Sequence, residues 1–133
     1  MKFTVKDERT ESQITFFLGT SLKTCNTFAK KKLKIDNAFP DNTEDMEGLS
    51  YMFQGKAVVW IHHNNIGDSV KLYKILLHEI LHCCFHFDSY WEDDEKPIKY
   101  DICVKSEANI IGFAEYFFGK TIEKIINHVK KKK

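Results

Sequence analysis

The stretch YKILLHEILHCCFHFD, from Tyr73 to Asp88, is the part of the sequence from which the rest is best interpreted. Its apolar residues recur at intervals of three and four, which is the pattern of an amphipathic helix. Asp68 or Ser69 is placed to cap the start of this helix, and the pattern runs to about Phe87. Three histidines follow one another within it at intervals of four residues: His78, His82 and His86.

The first two of these histidines have the spacing of a metal-binding pair. At about 100° per residue they lie one turn apart on nearly the same side of the helix, so both imidazoles can bind one zinc ion. Glu79 lies beside His78, where its carboxylate can accept a proton from an attacking water without being a metal ligand. His78-Glu79-x-x-His82 therefore matches the H-E-x-x-H signature of zinc peptidases. The alternative is a helix whose histidines face solvent or the core without binding metal.

A catalytic zinc site needs a third protein ligand, and His86 does not suit that role. In a continuous helix His86 lies about 12 Å along the axis from His78. The glycine that breaks the helix in the longer H-E-x-x-H-x-x-G-x-x-H motif is also missing. The segment VKSEANIIGFAEYFF, which follows an acidic loop, offers Glu107 and Glu115 on a further predicted helix. Because these two acids are two turns apart, only one of them can lie level with the histidines.

The H-E-x-x-H motif and the segment SEANIIGFAEYF together resemble the small gluzincin metallopeptidases of the ImmA/IrrE kind, which occur in phages, prophages and other mobile elements. In that family the next helix opens with E-A-N or E-A-x-A, and its first Glu is the third zinc ligand. The resemblance covers roughly residues 56–118. It implies one zinc ion per chain held by His78, His82 and Glu107, with Glu79 as general base. The chain departs from the family pattern at two places: Ile110-Ile111-Gly112 separate E-A-N from the following F-A, and the sequence EYFFGK comes after that F-A.

The resemblance implies a zinc-dependent peptidase in the cytoplasm of a bacterial host cell, acting on a protein or peptide substrate such as a regulatory protein. The alternative, from a different functional class, is a catalytically silent zincin-like module that inhibits a host protein by binding it. The intact Glu79 favours the enzyme, because a purely structural zinc site has no use for a base. Spacing does not identify the donor to the oxyanion, and the candidates are Tyr90, Tyr100, Tyr116, His63 and His86.

The whole sequence predicts a single α+β domain over residues 1–133, because its length suits one hydrophobic core. We expect a small zincin-like domain, with a short mixed sheet packed on the H-E-x-x-H helix and on a following ligand-bearing helix. KFTVK predicts an opening strand, and residues 11–32 have the spacing of an amphipathic helix that covers the sheet.

Further strands and helices follow from the same patterns. KAVVWIHH, from Lys56 to His63, is rich in β-branched and aromatic residues and predicts a strand. The resemblance to gluzincins implies that this strand is the sheet edge along which an extended substrate pairs. Beyond the acidic loop, one helix is predicted from about Asp101 to Phe118, ending at Gly119, and a short final helix covers residues 121–130.

Composition limits the remaining function classes. The net charge is only +1, and the basic residues are almost all lysines in local runs, so no nucleic-acid partner is expected. No apolar run approaches the ~20 residues of a membrane span, and the charged opening MKFTVKDERTE does not have the pattern of a signal peptide. We therefore expect an intracellular protein whose four cysteines are reduced thiols.

Overall fold

The computed structural model describes residues 1–8, 10–36, 38–40, 43, 45–91 and 100–132, with the side chains of all of these except 91, 100–107 and 132. They form, in chain order, β1 (Lys2–Lys6), β2 (Gln13–Leu18), α1 (Leu22–Lys32), β3 (Gly48–Phe53), β4 (Lys56–Ile61), α2 (Ser69–Trp91) and α3 (Tyr100–Lys132). A short 3-10 turn, His63–Asn65, lies between β4 and α2. The predicted α+β class is confirmed.

The strands form one mixed sheet in the order β1-β2-β4-β3. The pairs β1–β2 and β3–β4 are antiparallel, and β2 and β4 are parallel. Gln54 and Gly55 make the two-residue turn between β3 and β4. Since β4 lies inside the sheet, the prediction that Lys56–His63 forms the edge strand is wrong. The edge on that side is β3, which the sequence reasoning did not identify.

The predicted helix over residues 11–32 is also wrong in its first half, which is β2. Its side chains alternate, with Ile14 and Phe16 in the core beneath α2 and α3 and Phe17 in the core beneath α1. Because both faces of this central strand are covered, apolar residues occupy both, and the alternation of polar and apolar residues is lost. Gly19, with φ 77°, turns the chain in the left-handed region before Ser21 caps α1.

Helices cover both faces of the sheet. The prediction that the apolar face of the N-terminal helix packs on the sheet is confirmed for α1. The hydrophobic core between α1 and the sheet contains buried side chains from α1, β2 and β4: Leu22, Cys25, Ala29, Phe17, Val58 and Trp60. The larger core, on the other face, joins the sheet to α2 and α3 through Val59, Ile61, Leu76, Ile80, Phe87, Phe113 and Phe117.

The helix containing the histidines begins where the sequence predicts. Asp68 Oδ1 accepts a hydrogen bond from the Lys71 N–H at 3.1 Å, and α2 continues one turn beyond the predicted end, to Trp91. The predicted break at Gly119 is wrong, because α3 is continuous through that residue to Lys132. None of the helices in the described ranges combines the length and the apolar character needed to cross a bilayer.

Candidate metal centre and adjoining cleft

His78 and His82 lie on the outer side of α2. The opposite side packs on the sheet through buried residues such as Ile80, and each histidine is about 160° round the helix from Ile80. Both histidine side chains are therefore exposed, yet their Nε2 atoms are only 3.2 Å apart. The structure brings together the two histidines that the sequence pairs.

The separation of these two nitrogens fits a shared zinc ion. Two nitrogens bound to a tetrahedral zinc at 2.0–2.1 Å lie about 3.3–3.4 Å apart, close to the observed 3.2 Å. The same separation also fits an N–H···N hydrogen bond between two neutral imidazoles, one protonated at Nε2 and the other not. Zinc content distinguishes these two accounts of the contact.

Glu79 faces the beginning of β3, and the residue is only 6% exposed. A Cβ added to Gly48 would lie 3.5 Å from Glu79 Cγ and 2.6 Å from Ile75 Cγ2. Since real Cβ atoms do not approach a neighbour as closely as 2.6 Å, only glycine lets the backbone of β3 pass this near to α2. Gly48, which the sequence reasoning missed, therefore sets the position of the edge strand beside Glu79.

Two hollows adjoin this part of α2. The first hollow, of about 510 Å³, lies beside His78 and Glu79, and residues 45–48 form its opposite wall. The second hollow, of about 250 Å³, shares residues 45–47 with the first and is bounded elsewhere by His62, Asn64, Asn65 and Lys71. A segment of three residues thus separates two spaces, one of which opens onto the candidate metal centre.

The edge strand beside the first hollow lacks the usual protection against strand addition. β3 has the sequence GLSYMF, without a charged residue or a proline. No strand in the described part of the chain pairs with its outer side. The other edge strand, β1, carries Lys2 and Lys6, and the Lys6 carbonyl accepts a hydrogen bond from the Tyr116 hydroxyl. β3 is therefore the edge better suited to pair with an extended peptide.

The predicted third ligand, Glu107, lies in α3, but its side chain is outside the described residues, so its role stays a prediction. The described contacts between α2 and α3 lie near Asp88, where the Asn109 side chain donates a hydrogen bond to Asp88 Oδ1 at 3.4 Å. Asp88 is six residues, or about 9 Å along the axis, beyond His82. The other acid, Glu115, is exposed. It lies about 160° round α3 from the buried Phe113, so it faces away from α2.

Most of the candidate oxyanion donors contact residues other than the histidine pair. The Tyr116 hydroxyl is bonded to β1, and His86 Nε2 donates to the Gln54 carbonyl in the β3–β4 turn at 2.6 Å. Tyr90 stacks on His86, and His63 stacks on His62 beyond the end of β4. The side chain of Tyr100 lies outside the described residues. His86 thus anchors the hairpin to α2, and its exclusion as a zinc ligand stays a prediction.

The described cysteines are buried thiols. Cys25, Cys83 and Cys84 are free and buried, as the sequence predicts for a reduced protein, while the side chain of Cys103 is outside the described residues. Burial raises the pKa of Cys83 well above its usual 9.0, and the neighbouring Cys84 and Glu79 raise it further. Because zinc binds the thiolate, Cys83 is a poor candidate for a ligand despite its place one turn after Glu79.

Among the described side chains, no set of three from His, Cys, Asp and Glu lies within reach of a single metal ion. His78 and His82 form a pair, and the predicted Glu107 carboxylate is not among the side chains described. Comparisons with protein-family models, with curated proteins and with solved structures each found no match to the chain.

Proposed function

We propose that the protein is a zinc-dependent peptidase in which His78, His82 and Glu107 hold the metal and Glu79 is the general base. The observation that carries this proposal is the 3.2 Å separation of the two Nε2 atoms in an H-E-x-x-H sequence. The position of Glu79 supports it, because this acid lines the same hollow as His78 and lies beside an edge strand. A pair of solvent-facing histidines would need neither the acid nor the hollow.

In this proposal the chain's own groups move the proton and orient the substrate. When bound, zinc polarises the scissile carbonyl and makes water a stronger nucleophile. Glu79 accepts the proton of the attacking water as the new C–O bond forms, and it then delivers that proton to the amine nitrogen as the C–N bond breaks. One water is consumed, and Glu79 returns to its carboxylate form.

The substrate class follows from the sheet edge. An extended polypeptide that pairs with β3 lies beside Gly48, where Ile75 and Glu79 of α2 approach the strand closely. Backbone pairing of this kind requires an unfolded or flexible segment of the substrate. The resemblance to phage and prophage metallopeptidases suggests a regulatory protein in the cytoplasm of a bacterial host.

The proposal is tested by measuring zinc per chain and hydrolysis of a degenerate, quenched-fluorescent decapeptide library. Wild type and Glu79→Gln are each expected to hold one zinc, and Glu79→Gln to lose about 10²–10⁴-fold in rate, which is the usual contribution of a general base. Glu107→Ala is expected to lose zinc. Glu115→Ala is the matched control, because it removes an exposed acid from the same helix.

The outcomes separate the proposed enzyme from its alternatives. Absence of zinc from reconstituted wild type would show that the histidine contact is a hydrogen bond and would overturn the proposal. One zinc per chain with no hydrolysis of any probe, by either wild type or Glu79→Gln, would favour the silent binding module. Equal hydrolysis rates in wild type and Glu79→Gln would refute the role of Glu79.

A further inference from the structure

A third hollow lies at the opposite edge of the sheet from β3, between the start of β1 and the last turns of α3. It has a volume of about 340 Å³, and residues 1–3 form its strand wall. Its helix wall is formed by Lys124, Asn127, His128 and Lys131. The described residues of the two walls include no acidic side chain. Because the two lysines are exposed and His128 is half-buried, a ligand can reach them from solvent.

These basic residues lie on the side of α3 that faces the core. Phe117 is fully buried, and Lys124, His128 and Lys131 lie within about 40° of it round the helix. Ile125, between them in sequence, is only 7% exposed and belongs to the larger core, so this part of the helix is held against the sheet. The core-facing side of α3 therefore changes from apolar to basic beside the start of β1, where the third hollow lies.

Compensation of the helix dipole does not account for this arrangement. The carbonyl end of a helix attracts cations, but the effect falls off within the last turn. α3 ends at Lys132, and Lys124 lies about 12 Å before that end. Lys124 and Lys131 form no ion pair with any residue that the structure describes, whereas Lys120 pairs with Glu123 at 3.5 Å. The two lysines therefore carry positive charge that the described part of the fold does not neutralise.

The strand wall adds a backbone donor at the outer edge of the sheet. Met1 and Leu18 exchange two backbone hydrogen bonds, of 3.0 and 2.8 Å. In an antiparallel pair the N–H of the next residue, Lys2, therefore points away from β2. The ammonium group of Lys2 is engaged elsewhere, because its Nζ lies 4.5 Å from the centroid of the Phe28 ring, which packs against the core beneath α1. Lys2 thus contributes to the third hollow through its backbone.

From these observations we infer that the third hollow binds the phosphate monoester of a small molecule. The ammonium groups of Lys124 and Lys131 match the roughly two negative charges and three acceptor oxygens of such a group at neutral pH. The ring of His128 has an N–H in each of its charge states and adds a further donor. A carboxylate, with a single charge, would neutralise only one of the lysines. A hollow between a strand and a helix also suits a compact group better than the flat surface of a bilayer.

The test is an NMR titration of the isotope-labelled full chain with phenyl phosphate. Benzoate is the matched probe, because it replaces the phosphate by a carboxylate on the same ring. The ionic strength is held constant, since exposed charges are screened by salt. Saturable shifts are expected for the Lys2 amide and the His128 ring, and phenyl phosphate should bind about tenfold more tightly than benzoate, which is the effect of one further hydrogen bond between charged groups.

Three variants carry the same chemical change on the same helix. Lys124→Gln and Lys131→Gln each remove one charge from the third hollow and should each weaken the binding of phenyl phosphate about tenfold. Lys130→Gln is the matched control, because Lys130 is exposed and does not line the hollow. It alters the net charge by the same amount and should bind as wild type does.

Several outcomes would overturn this inference, and none of them depends on zinc or on hydrolysis. They are no saturable shift in wild type, shifts confined to other parts of the protein, and equal affinities for phenyl phosphate and benzoate. Equal weakening by Lys130→Gln and Lys124→Gln would mean that the lysines attract anions only through their summed charge. Binding to vesicles that contain phosphatidic acid, without binding to phenyl phosphate, would assign the lysines to a membrane surface instead. If a variant does not fold, the wild-type shift map and the comparison with benzoate decide.

Discussion

Substitution of Gly48 by alanine is expected to destabilise the protein, because the position of β3 against α2 leaves no room for a side chain. The added Cβ would lie 2.6 Å from Ile75 Cγ2 and 3.1 Å from Ile61 Cδ1. The Cγ2 methyl of isoleucine is attached directly to Cβ and moves only with a change of the stiff χ1 torsion. Overpacking of this kind costs about 1–3 kcal/mol, and the stiffness of Ile75 favours the upper part of that range.

Urea unfolding, monitored by circular dichroism, measures the change in unfolding free energy, provided that wild type and variant have the same m-value. Gly119→Ala is the matched control, since a Cβ at that position in α3 meets nothing within 4 Å. The same chemical change should there stabilise the helix by about 0.5–1 kcal/mol. Ile75→Ala removes the clashing methyl, so Gly48→Ala should cost less in that background. A Gly48→Ala variant as stable as wild type, or an equal cost in both backgrounds, would refute the packing described for β3.

Three further substitutions test other contacts. His86→Ala should retain one zinc per chain and lose about 0.5–1.5 kcal/mol of unfolding free energy in urea, because its hydrogen bond to the Gln54 carbonyl is removed along with its stacking on Tyr90; loss of zinc would make His86 a ligand. Tyr116→Phe should lose a similar amount of unfolding free energy, since the Tyr116 hydroxyl donates a hydrogen bond to the Lys6 carbonyl. An unchanged midpoint of urea unfolding would contradict that contact. Burial raises the pKa of Cys25 from 9.0 to about 12, so the stability that its protonated thiol contributes is complete below pH 9 and is lost as pH rises toward 12. Cys25→Ala should therefore reduce the slope of unfolding free energy against pH by about 1.4 kcal/mol per unit in that interval, and equal slopes measured from pH 8 to 11 would disprove the shift.

The sequence predicts elements well where one physical signal dominates. In α2 the apolar period, the Asp68 cap and the length all indicate one helix, and the structure agrees with them. In residues 11–32 the three-and-four spacing competes with the β-branched and aromatic content of ITFFL. Burial on both faces of the sheet favours the strand, and a single sequence does not reveal that both faces will be covered.

The missed edge strand had a local signal. Gln54-Gly55 separates two largely apolar runs by two residues, which is a pattern of a β-hairpin. Its first run, GLSYMF, lacks the β-branched residues that make β4 recognisable. Missing this strand also affects the description of the candidate site, because the position of Gly48, the second hollow and the free sheet edge all depend on where β3 lies. None of these follows from the spacing of the H-E-x-x-H motif.

The third metal ligand depends on a quantity that spacing leaves open, namely how far α3 is displaced along α2. His78 and His82 belong to one helix, so the geometry of that helix alone sets their separation. Glu107 belongs to another, and the described contact of Asn109 with Asp88 lies about 9 Å along α2 from His82. Zinc content in Glu107→Ala therefore reports on packing as well as on chemistry. Loss of zinc would mean that the start of α3 approaches the histidines in the metal-bound protein. Retention would mean that the two histidines bind zinc without this carboxylate, and the family resemblance would then fail at the residue that defines it.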